Sequence, residues 1–170
     1  YREQVKARNS RTSDGSVTTI EDIRQRNYRV HFSYKVTDGI TLKSRLELTI
    51  LDRASSANEV GILLYQDLLV RPKNWPLDFA FRYAFIETDS YDSRLYAFES
   101  NALYVFSIPA YFYKGTRAYA MVRWTFLRKF DLWARYAVNI YRDRNSIGSG
   151  PEELQGNIKS EVTLQLRMKF

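Results

Sequence analysis

The chain has 170 residues, 26 Lys and Arg against 19 Asp and Glu, a formal net charge of +7 and a mean hydropathy of −0.43. Cysteine is absent, so a disulfide framework and a thiolate metal site are both excluded. No apolar run approaches the ~18 residues of a membrane-spanning helix, a test that β-strands escape because half of each is polar. The basic residues are spread singly among acids such as Glu47, Asp67, Asp78, Asp131 and Glu161 rather than massed in one segment. That spacing suits a charged strand face better than a nucleic-acid patch, so nucleic acid is not expected as a partner. The sequence opens on Tyr1 without Met or a signal peptide, which reads as a processed or truncated product.

From the start of the chain, Tyr1 to Arg11 alternates loosely and reads as a first strand, and polar Thr12 to Gln25, with Asp14-Gly15, reads as a long loop. Arg26 to Val36 sets Tyr28, Val30, Phe32, Tyr34 and Val36 against Arg29, His31, Ser33 and Lys35, a period of two that marks a strand. Thr37-Asp38-Gly39 is a hairpin signal, and Ile40 to Leu51 alternates in turn. Further strands are expected over 59–71, 76–87, 94–100, 103–113, 116–127 and 130–142, with a bulge or kink at Pro109. The closing stretch, Ile158 to Phe170, alternates without a break: Ile158, Val162, Leu164, Leu166, Met168 and Phe170 oppose Lys159, Glu161, Gln165, Arg167 and Lys169.

The fold class expected is all-β, a transmembrane antiparallel up-and-down barrel of about ten strands over residues 1–170, or the C-terminal portion of a larger one. If the C-terminus lies on the periplasmic side, connections 37–39, 72–75, 101–102 and 128–129 fall inside and 12–25, 52–58, 88–93, 114–115 and 143–155 outside. Every inside connection is short and the longest are outside, as in bacterial barrels. The apolar side chains expected to face lipid are Phe79, Phe81, Phe85, Val122, Trp124, Leu132, Val138, Val162, Leu164, Leu166 and Phe170. Those expected to line the lumen are Arg29, Lys35, Lys43, Arg45, Glu47, Asp67, Arg82, Arg117, Arg123, Asp131, Arg135, Glu161 and Arg167. They make either a basic pore or an interior closed by ion pairs across strands. The same stripes also fit a soluble lipid-binding barrel with its apolar face inward.

His31, the single histidine, shares a face with Ser33 and, on the next strand, Glu47: a base, a nucleophile and an acid, as acyl transfer requires. The other reading is a lumen histidine hydrogen-bonded to Glu47. One His and no Cys make a metal site poor, and no cofactor motif occurs.

Three kinds of resemblance accompany these residues. The alternating last strand with its terminal Phe170 is similar to the closing strand of bacterial outer-membrane barrels, where a terminal aromatic is part of the signal read by the assembly machinery. The His31-x-Ser33 spacing resembles outer-membrane lipid A deacylases. The phrases YDSRLYAFESNALYVFSIPAYFYKG (91–115), DLWARYAVNIYRDRNSIGSGPEELQGN (131–157) and KSEVTLQLRMKF (159–170) resemble the C-terminal region of outer-membrane β-barrel proteins of Bacteroidota. Some members of that group carry an N-terminal helix-hairpin-helix segment, which this sequence lacks. The resemblance implies the bacterial outer membrane, with lipid, lipopolysaccharide, the barrel assembly machinery and other envelope subunits as partners. The role expected is a pore or a structural subunit of an envelope transport or secretion assembly.

Overall fold

The computed structural model describes residues 1–11, 17–53, 57–148 and 150–169. Alternation of large apolar and polar residues along each ribbon produces one antiparallel eight-stranded sheet. Its strands, in both spatial and chain order, are β1 (Arg2–Arg11), β2 (Val17–Thr37), β3 (Ile40–Asp52), β4 (Glu59–Val70), β5 (Leu77–Thr88), β8 (Lys114–Phe126), β9 (Phe130–Tyr141) and β12 (Ile158–Met168). Four short strands and a 3-10 turn complete the described elements: β6 (Leu95–Tyr96) pairs with β7 (Ala110–Tyr111), and β10 (Ser146–Ile147) with β11 (Leu154–Gln155), beside the 3-10 turn at Gly150–Glu152. Among the described residues no helix is long and apolar enough to cross a membrane.

The structure departs from the sequence reading in three places. Val17 to Gln25 is strand rather than loop, because β1 supplies a ladder for it, from Arg11 opposite Val17 to Gln4 opposite Gln25. The β3 ladder begins only at Asp52 opposite Arg24, so the first part of β2 and its β1 partner extend past the sheet as a two-stranded ribbon. The ten-strand count falls to eight, since residues 94–100 and 103–113 do not join the main sheet. They double back through the Leu95–Tyr111 and Tyr96–Ala110 pairs and the Glu99–Ser107 bridge, while β5 pairs directly with β8. Two crossings are lost together, so every other connection keeps the side that parity assigned to it. Finally, β1 and β12 stand at opposite ends of the strand order, and no closed barrel forms among the described residues.

Segment 89–113 covers one face of the sheet. Leu63, Tyr65, Ala84 and Ile86 from β4 and β5 pack with Leu95, Ala97 and Tyr111 from the segment. Fully burying a Leu or Ile side chain contributes about 1.5–3 kcal/mol before chain entropy is subtracted. Alanines at 80, 84 and 137 keep this face low enough to admit the segment. Gly61 serves the same end, because a Cβ there would collide with the Ser93 carbonyl. Backbone bonds fasten the segment's two ends, Asp89 N to Val60 O (3.0 Å) and Thr88 N to Tyr113 O (3.1 Å).

Candidate functional site

The site is the polar layer between the sheet and segment 89–113. Odd-numbered positions on β3, β4, β8, β9 and β12, and even-numbered ones on β5, point into it, as the pleat requires. Arg45, Glu47, Asp67, Arg82, Arg117, Asp131 and Arg135 are all buried there. A buried charge is tolerated only when paired and hydrogen-bonded, and three linked groups meet that condition.

The central group is built on Glu99 of the segment, whose exposure is 0%. Arg117 donates to both of its oxygens, at 2.7 and 2.9 Å, and Arg135 donates to Oε2. The Tyr111 hydroxyl donates to Oε1 at 2.5 Å and accepts from Arg82 Nη1 at 3.1 Å. Arg82 in turn grips Asp67 with two bonds, at 2.5 and 2.7 Å, and lies 3.7 Å over the Tyr65 ring. Arg135 also donates to the Ser100 carbonyl (3.1 Å), and the Ser100 amide donates to the Tyr119 hydroxyl (3.1 Å). Burial alone would push the Glu99 carboxyl up. The bonds and charge of Arg117, with Tyr111 and Arg135, outweigh that and hold it below the usual glutamate range. Burial pushes the Tyr111 phenol well above its ordinary value, so it stays protonated and donates.

The second group lies toward β2. Glu47 accepts from Arg29 at 2.9 and 3.1 Å and from Arg45, which also donates to the Tyr96 carbonyl of the segment at 3.0 Å. The third centres on buried Asp131, which accepts from Thr125 (2.6 Å), Lys169 (2.9 Å), Arg167 and, at 3.4 Å, Arg123. Glu161 lies 3.2 Å from Arg117. Lys35 is exposed at the Asp38 turn, 3.3 Å from that carboxylate, and Lys43 stands opposite Asp67 in the ladder.

His31, Ser33 and Glu47 do share a face, yet the register sets them apart. His31 stands opposite Arg45 and Ser33 opposite Lys43, whereas Glu47 stands opposite Arg29. Both His31 and Ser33 are exposed, and Glu47 is occupied by two guanidinium groups. No group of three His, Cys, Asp or Glu among the described residues is arranged to hold a metal ion.

The opposite face of the sheet is bare and apolar. Val162 and Leu164 are each 70% exposed, Phe32 is 68% exposed, and Phe81, Trp124 and Leu166 are also exposed. Phe79, Phe85, Val122, Leu132 and Val138 lie half-buried on the same face among their neighbours. Phe170 lies outside the described residues. Tyr141, at the end of β9, is buried on the covered face.

Sequence reasoning missed Glu99, Tyr111 and Tyr119. A signal for Glu99 was present, since it shares parity with Leu95 and Ala97 in a stretch too short to cross a bilayer. An acid in an apolar stripe needs a cationic surface beneath it.

Compared with known proteins, the chain matches no family model, no curated protein and no solved structure.

Proposed function

We propose that this chain forms the wall of an outer-membrane β-barrel in a Gram-negative envelope, with its lumen occupied by its own residues 89–113. In this role it is a structural subunit of an envelope assembly and not a freely conducting pore. One observation carries the reading: the polarity of the sheet is inverted relative to a water-soluble protein. Arginine and carboxylate pairs share the covered layer with a small apolar cluster around Leu63, while large aliphatic and aromatic side chains stand bare on the other side. A soluble barrel or sandwich buries the apolar face instead. Hydrocarbon is the medium in which such a bare face is stable. It also demands that the free backbone groups of β1 and β12 be paired, so the sheet is one wall of a closed ring.

The occupied interior supports the structural role over the open pore. The cationic side chains that an anion-selective pore would present to solutes are neutralised by Glu99, Glu47, Asp67 and Asp131. Native protein in planar bilayers is therefore expected to show no steady conductance.

The membrane assignment is tested by Leu164→Arg. A cation near the midplane of a lipid-facing strand costs about 2–4 kcal/mol, measured as unfolding free energy in lipid vesicles. An unchanged free energy, or native protein that stays monodisperse without detergent, would refute the assignment.

A further inference from the structure

At the end of the sheet where the chain terminates, the turn of segment 89–113 leaves a cleft of about 700 Å³ against β5, β8, β9 and β12. Its volume falls within the roughly 300–1,000 Å³ of small-molecule sites. The ionic side chains lining it are Arg71, Arg123, Arg167 and Asp78, three positive and one negative, giving a net charge of +2. Asp131 and Lys169, just beyond the lining, lie 2.9 Å apart and carry opposite charges, so counting both leaves the sum at +2.

The donor capacity of the cleft is incompletely used. Arg123 reaches Asp78 and Asp131 only at 3.4 Å each, against the roughly 2.7–2.9 Å of a strong charge-assisted bond. Its Nε is buried and has no hydrogen-bond partner among the described residues. The Trp133 ring supports the guanidinium groups of Arg123 and Arg167, each 5.5 Å from its centroid, which holds both in place without consuming their donors. Arg71 is exposed at the rim. To the same lining the segment contributes exposed aromatic surface, Phe98 and Tyr104, the latter on a left-handed backbone (φ 64°).

We infer that this cleft binds a small amphipathic anion, a phosphate or carboxylate group held by Arg71 and Arg123 and joined to an apolar body that lies on Phe98 and Tyr104. A dianionic headgroup matches the net charge of the lining. The inference stands apart from the membrane reading, because sheet and segment bound the cleft in any medium.

Titration calorimetry on the full chain in nonionic detergent tests it, with phenyl phosphate, inorganic phosphate and benzyl alcohol as probes. Phenyl phosphate is expected to saturate a single site with a Kd at or below about 1 mM. Inorganic phosphate binds more weakly and benzyl alcohol gives no saturable heat. Arg71→Gln changes an exposed side chain, so it keeps the fold and isolates the charge effect. It and Arg123→Gln are each expected to weaken phenyl phosphate at least ~10-fold, about 1.4 kcal/mol. Dodecyl phosphate in mixed micelles separates the sources: displacement of phenyl phosphate identifies a lipid headgroup, and its failure to compete identifies a soluble metabolite. Absence of saturable binding, equal affinity in Arg71→Gln and the parent, or inorganic phosphate binding as tightly as phenyl phosphate overturns the inference.

Discussion

Replacing Glu99 with Gln is expected to loosen segment 89–113 while leaving the eight-stranded ladder paired. The carboxylate is fully buried and accepts from Arg117, Arg135 and Tyr111. Arg117 keeps Glu161 at 3.2 Å, but the nearest acid left to Arg135 is Glu161 at 3.9 Å. Removing one member of a buried ion pair costs about 3–5 kcal/mol because the partner is left uncompensated. Glu161 offsets part of this, which places the loss near ~3 kcal/mol, or about a 100-fold rise in the population of the detached segment. Hydrogen exchange reads this directly, since the amide at position 99 is protected by its 2.9 Å bond to the Ser107 carbonyl. Exchange there is expected to accelerate about 100-fold while the amides of β8 and β9 keep their rates, the pattern of a local opening. Pairing Glu99→Leu with Arg135→Met removes both charges and is expected to restore much of the protection, because apolar replacement of a buried pair is often neutral. A change under ~3-fold at position 99, judged on the same scale of about 1.4 kcal/mol per decade, would refute the reasoning. So would equal acceleration throughout the sheet.

The same network sets an acid limit. Glu99 is held below the ordinary glutamate value of about 4.3, so its pairing stabilises the docked segment above that pH, and the contribution is lost as pH falls through the lowered folded value. Exchange at position 99 should therefore accelerate on acidification below pH ~4, and this acceleration should vanish in Glu99→Gln; an identical acid response in that variant sinks the assignment. Gly61→Ala places a methyl group against the Ser93 carbonyl. The overpacking is expected to cost about 1–3 kcal/mol, read as lost protection over residues 93–97, and unaltered protection there means the segment does not approach β4 as described.

The sequence made the strand faces legible wherever alternation was strict. In β12 the residues from Ile158 to Met168 alternate as the ladder with β9 requires, and β3, β5 and β9 begin and end within one or two residues of the reading. It failed at the two places where pairing partners decide structure. Val17 to Gln25 has little apolar alternation and becomes strand because β1 lies beside it. Residues 94–100 and 103–113 alternate as strands do, yet Glu99 and its arginine partners draw them over the sheet rather than into it. The candidate triad failed for a related reason: period two places His31, Ser33 and Glu47 on one face, but register sets Arg45 opposite His31 and Arg29 opposite Glu47.

By itself, then, the order of residues determined which side of each ribbon is charged and which is greasy, because that needs only the two-residue period of an extended chain. Which strands are neighbours, and what lies against the charged side, are long-range choices. They depend on where Arg82, Arg117 and Arg135 converge in space, and a buried acid can be accommodated only at that point of convergence.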